Sequence, residues 1–171
     1  VVDFDKPEEW KNRIQGDVLY SAFGTTIKKA GSKKEQYKID YTYQWQVAKA
    51  AAENGISTYV LISAVGANDK SKVFYNRIKG ELDRDVKMLL FKNIVILKPS
   101  LLLGDRKEHR GGEKIAAVLG KCFKYLPFIK KFRPINDIIV AKAMLNSSFR
   151  FKGIEEFVAN ELFDLANEKY L

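Results

Sequence analysis

The chain has 171 residues, 46% of them hydrophobic and 12% aromatic, enough to bury the core of one compact domain. Lys and Arg number 30 against 21 Asp and Glu, a formal charge of +9 that raises nucleic acid or an acidic surface as a partner. No run approaches the roughly 18 apolar residues of a membrane span; the single cysteine, Cys122, excludes an internal disulfide, and the single histidine, His109, has no cysteine cluster with which to hold structural zinc.

The basic residues are scattered through Lys28-Lys29, Lys33-Lys34, Arg106-Lys107, Lys121, Lys124 and Lys130-Lys131. No helix-turn-helix, zinc-finger or aromatic-interleaved strand pattern presents them, so nucleic acid is not the expected partner. With no signal peptide and one free thiol, the expected location is the cytoplasm.

In chain order, Val1 to Asp5 reads as the end of a strand, and Lys6-Pro7-Glu8-Glu9-Trp10 as a helix start with Pro and acids in its first turn. Residues 16–26 follow as a second strand. Its exit, Phe23-Gly24-Thr25, is small and hydroxyl-bearing, which lets a ligand approach the backbone at the carboxyl end of a parallel strand. Ile27 to Lys38, polar and lysine-rich, reads as a mobile loop. Tyr37 to Glu53 carries Tyr41, Trp45, Ala48 and Ala52 at helical spacing, and Asn54-Gly55 stops it.

Thr58 to Ile62 is a hydrophobic strand that ends on Ser63. The next helix carries Tyr75 and Lys79 one turn apart, with Phe74, Ile78, Leu82, Val86 and Leu90 as the expected buried stripe and Asp83 on the Tyr75–Lys79 side. An ammonium near a phenol favours the phenolate, bringing the tyrosine pKa down from about 10 toward the pH at which proton transfer works best. Asn93 to Leu97 is a further all-apolar run, the pattern of a parallel strand buried on both faces, and Lys98-Pro99-Ser100 ends it. Residues 105–113 are a charged loop in which Arg106 and Arg110 could grip an anionic group. Ile115 to Phe132 reads as helical, Pro134-Ile135-Asn136-Asp137 opens a helix from Ile138 to Leu145, and Glu155 to Leu171 reads as a terminal helix.

A Ser at a strand end, then Tyr-x-x-x-Lys, resembles the active site of the short-chain dehydrogenase/reductase superfamily. The stretches Leu61–Asn68, Phe74–Leu82 and Leu97–Arg106 are more similar to its atypical, epimerase-like branch, which includes the Tat-interacting-protein oxidoreductase and its bacterial relatives. The resemblance runs from about Val1 to about Asn146. It implies an α/β doubly wound parallel sheet, a Rossmann-like NAD(P)-binding fold, in one domain over 1–171 whose part from about 104 onward forms the substrate side. It implies an NAD(P)-dependent oxidoreductase in which Tyr75 transfers the proton, Lys79 tunes it and binds ribose, and Ser63 holds a carbonyl. Asp3 and Phe4 would lie by the adenine, Phe23, Gly24 and Thr25 by the pyrophosphate and ribose, and Pro99, Ser100 and Leu101 by the nicotinamide.

The expected cofactor is NADP, with NAD as the alternative, and the expected partner a small carbonyl substrate. The alternative expectation is an NADP-sensing regulatory protein that binds a protein partner with little or no turnover, as several members of the superfamily do; a homo-oligomer is the other partner expectation. No metal and no membrane are expected. Two departures stand out: Asp40 occupies a position where relatives often carry Asn, and Lys98 one where they carry Arg. The strand and Gly-x-x-Gly-x-x-Gly turn with which such sheets begin are not in this sequence, so the chain is expected to be a piece of a longer protein.

Overall fold

A computed structural model describes residues 1–103, 133–150 and 152–167. Four strands form one sheet: β1 (Val18–Ser21), β2 (Thr58–Ile62), β3 (Asn93–Lys98) and β6 (Gly153–Val158), in the order β1-β2-β3-β6. Every pairing is parallel, with Val60 opposite both Tyr20 and Val95 and Glu156 opposite Ile96. A pair of two-residue strands, β4 (Leu102–Leu103) and β5 (Ile135–Asn136), forms a separate parallel ladder.

Parallel neighbours need crossovers, and these crossovers are helices, so both faces of the sheet are covered. Because side chains alternate along a strand, Tyr59, Leu61, Ile94 and Ile96 point to one face. There they pack with Ala48 of α4 (Gln44–Glu53) and Leu82 and Val86 of α5 (Phe74–Val86). Val60, Val95 and Leu97 point to the other, against Val140, Ala143 and Met144 of α6 (Asp137–Arg150) and Leu162 and Leu165 of α7 (Glu161–Asn167). The doubly wound, Rossmann-like α/β architecture that the resemblance implied, with the buried parallel strands read from the apolar runs, is therefore the architecture of the protein.

Several local expectations are corrected. Val1 to Asp5 is a turn rather than a strand end, closed by Lys6 N–H donating to the Asp3 carbonyl and leading into α1 (Pro7–Trp10). The expected loop of Ile27 to Lys38 is two short helices, α2 (Ile27–Ala30) and α3 (Lys33–Tyr37). Each is capped by a hydroxyl: Thr26 accepts from Lys29 N–H and Ser32 from Glu35 N–H. Glu155 to Val158 is strand rather than helix, and only the later part of that stretch turns helical, in α7. Leu90 is 91% exposed, outside the buried stripe, because α5 ends at Val86.

From α3 the chain runs without a break through a six-residue π-helical segment, Lys38–Tyr43, into α4. Such segments widen the helix by one residue per turn and are frequent at functional sites. This one carries Asp40, 1% exposed. Between β2 and α5 the loop crosses directly over α5 at Gly80, where a Cβ would stand 2.2 Å from the Asn68 carbonyl carbon. Only glycine permits that approach, which fixes the path of the chain between Ser63 and Tyr75.

Candidate active site

The carboxyl ends of β1, β2 and β3 and the first turns of α5 meet at one place, the end of the sheet where doubly wound folds bind ligands. Ser63 extends β2 past its last paired residue: its N–H donates to the Leu97 carbonyl, and Val65 N–H donates to the Pro99 carbonyl. Pro99 is thereby held beside Ser63. Ser63 is 4% exposed, and its hydroxyl makes no well-formed hydrogen bond among the described residues.

Tyr75 lies in the first turn of α5 and is 41% exposed, whereas Lys79, one turn on, is 5% exposed. Lys79 has neither an ion pair nor a hydrogen bond among the described residues, and burial holds its pKa below the ordinary lysine value against the pull of Asp40 and Asp83. Its ammonium reaches the strand exit Phe23-Gly24-Thr25: a Cβ on Gly24 would stand 4.0 Å from Lys79 Nζ and 3.1 Å from Asp40 Oδ1. Thr25 N–H donates to Asp40 Oδ1 at 2.6 Å. Lys79, Gly24 and Thr25, expected to share a ligand, are brought together.

Phe4 joins the same exit by stacking on Phe23 with ring centroids 5.7 Å apart, and on Tyr43 at 5.1 Å. Asp3 is committed to its own turn: its carboxylate accepts from Asp5 N–H, and its carbonyl from the Trp10 indole. Ser100 is buried and donates to the Arg133 carbonyl, and the Leu101 carbonyl accepts from Ile135 N–H, so the end of β3 is tied to β5. Arg106 and Arg110 lie outside the described residues, as does the stretch from Ile115 to Phe132.

A charged network unforeseen in the sequence lies beneath the site. Lys98 at the end of β3 pairs with Asp83 of α5 at 3.2 Å and with Glu156 of β6 at 2.5 Å, and Lys87 also pairs with Glu156. Burial raises the Asp83 pKa; the nearby Ser63 hydroxyl and Lys98 oppose the rise without cancelling it. Burial works against the charge on Lys98, yet Glu156 and Asp83 raise its pKa overall. Asp83, four residues after Lys79, was legible as a neighbour. Glu156 was not, because its segment read as helix. Among the described residues no group of three metal-ligating side chains gathers, and no helix is long and apolar enough to cross a membrane.

No family model matches the chain. It is 44% identical over 142 residues to "Protein FMP52, mitochondrial" of Candida albicans, a match that takes in 82% of this chain and 61% of that protein. The protein of the same name in Debaryomyces hansenii is 41% identical over 142 residues, 82% of this chain and 63% of the relative. The chain thus spans less than two thirds of the length of these relatives.

Among solved structures, UDP-glucose 4-epimerase of Thermotoga maritima with UDP-glucose aligns with a TM-score of 0.63 and 13% identity, covering 94% of this chain and 64% of that one. RMD of Pseudomonas aeruginosa complexed with NADPH aligns at 0.65 and 12%, covering 92% and 65%. A short-chain dehydrogenase/reductase superfamily protein of Agrobacterium tumefaciens with bound NAD aligns at 0.65 and 10%, covering 92% and 64%. At these identities the likeness is one of fold. The mitochondrial relatives overturn the cytoplasmic expectation, which had rested on a free thiol and an absent signal peptide, neither of which separates one reducing compartment from another.

Proposed function

We propose that the protein is a nicotinamide-dependent oxidoreductase of the short-chain dehydrogenase/reductase superfamily, of its atypical epimerase-like branch, and that it works in mitochondria. The observation that carries the reading is Lys79, a residue 5% exposed and without an ion pair or hydrogen bond among the described residues, whose ammonium is aimed at the exit of β1. A buried ammonium whose N–H groups find no acceptor loses the hydrogen bonds it made in water. Ribose hydroxyls of a dinucleotide lying over Gly24 and Thr25 would accept them. The hydroxyl of Ser63, at the next strand end, makes no well-formed hydrogen bond among the described residues, with only the Asp83 carboxylate nearby, and could turn to a ligand.

These residues fit NADP, or NAD, whose nicotinamide when bound supplies the hydride. Tyr75 would give its phenolic proton to the substrate oxygen, or take one in the reverse direction. Lys79 would bind ribose and favour the phenolate of Tyr75; Ser63 would hold the carbonyl oxygen. Phe4 and Asp3 would border the adenine, and Pro99, Ser100 and Leu101 the nicotinamide. The single domain would present its substrate side from residue 104 onward, where Arg106 and Arg110 would meet an anionic group on a ketone or aldehyde.

The test is a screen of ketones and aldehydes for NADPH oxidation by the wild-type protein and by Tyr75→Phe. Loss of turnover by at least ~100-fold with cofactor binding kept is expected, within the range of general acid–base catalysis. Turnover unchanged in Tyr75→Phe would remove the assignment.

A further inference from the structure

Asp40 is a buried carboxylate with no cation in contact with it among the described residues. Its Oδ1 accepts from Thr25 N–H at 2.6 Å and its Oδ2 from the Gln36 side-chain amide at 3.0 Å, both neutral donors. Two such bonds satisfy lone pairs but leave a full negative charge in an interior where isolated charges are expensive. Lys79 presents the opposite problem: a buried lysine whose ammonium has no contacting anion among the described residues.

The two groups bracket one point, the place of a Gly24 Cβ, at 3.1 Å and 4.0 Å. They face each other without touching. The other carboxylate that faces Lys79, Asp83 on its own helix, is already engaged by Lys98, and Glu156 by Lys98 and Lys87. Asp40, on the π-helical segment, is the one carboxylate near Lys79 among the described residues with no other cation to answer.

We propose that Asp40 is the counter-ion of Lys79 and a positioning residue of the site, holding the ammonium over Gly24 and making the pair neutral where an Asn would leave a net cation. The attraction of Asp40 works to raise the Lys79 pKa against burial. Gln36 and Thr25 hold the carboxylate in place, and the absent Cβ of Gly24 leaves the gap open. A single hydroxyl oxygen entering that gap could accept from the ammonium and donate to the carboxylate. The bearing on Tyr75 and ribose rests on the proposed function; the pairing itself does not, so failure to bind NADPH would remove that function and leave the counter-ion standing.

The test is an NMR titration of protein carrying carbon-13 lysine, with Lys79 assigned by the resonance lost in Lys79→Met. Asp40→Asn, nearly isosteric and still able to accept from Thr25, is expected to move the Lys79 midpoint to lower pH, and by more than Asp83→Asn does. An unmoved midpoint, or an equal shift in Asp83→Asn, overturns the proposal. A stability cycle keeps the question decidable should Asp40→Asn fold poorly. Each single change, Asp40→Asn or Lys79→Met, leaves part of the pair uncompensated, so the double variant is expected to melt above the value that additive losses give. Strictly additive losses count against the pairing.

Discussion

The Lys98 ammonium at the end of β3 lies 3.2 Å from the Asp83 carboxylate in the middle of α5, tying the strand that ends in Pro99 to the helix that carries Tyr75 and Lys79. Both side chains are largely buried, at 15% and 5% exposure. Breaking a buried pair from one side leaves the other charge stranded, at a cost of about 3 kcal/mol or more. Lys98→Met is therefore expected to lower the urea midpoint of unfolding strongly, and Lys98→Met with Asp83→Leu to recover much of the loss. A Lys98→Met protein as stable as the wild type would show that the pair contributes nothing.

Lys79 gives stability a specific pH dependence. Its folded-state pKa is lowered by burial, so between that value and the ordinary lysine value of 10.5 the unfolded chain holds more protons than the folded one. Stability from this group therefore rises as pH rises through that window. Urea unfolding across the alkaline range is expected to show the wild type gaining on Lys79→Met as pH approaches the unfolded lysine value. A constant difference between the two proteins at all pH values would contradict the buried charge.

At Gly80 the loop after β2 leaves no room for a methyl group, since a Cβ would stand 2.2 Å from Asp69 N. Gly80→Ala must push that loop off the helix, and overpacking of this kind costs about 1–3 kcal/mol. A drop in melting temperature is expected, together with weakened cofactor binding because the displaced loop joins Ser63 to α5. Melting at the wild-type temperature would mean that the loop yields freely.

Gly24 is the second tight approach, with Asp40 Oδ1 3.1 Å from its Cβ position. Gly24→Ala is expected to fill the gap between Lys79 and Asp40 and weaken NADPH binding, and to lower the melting temperature because the pinned Asp40 carboxylate must shift. Equal affinity in this variant would place the ligand elsewhere on the sheet end.

The central strands were legible because a parallel sheet buried on both faces demands continuous apolar runs, which Thr58–Ile62 and Asn93–Leu97 supply. Tyr75 and Lys79 were legible from helical spacing. The last strand was not: β6 is at the sheet edge, carries Glu155 and Glu156, and exposes Ile154, so it lacks the apolar run that marked its neighbours. Helices α2 and α3 span four and five residues, too short for periodicity to register, and their lysines read as loop. The meeting of Asp40 with Gly24, like that of Lys98 with Glu156, depends on crossover geometry that local sequence does not encode.

The most direct test of the central claim is a titration of the wild-type protein and of Lys79→Met with NADPH and then NADH, followed by nicotinamide fluorescence. Saturable binding of at least one of them to the wild type, NADPH first, and much weaker binding to Lys79→Met are expected. Wild-type protein that binds neither, or a Lys79→Met variant that binds as tightly as wild type, would contradict a nicotinamide site built on Ser63, Tyr75 and Lys79.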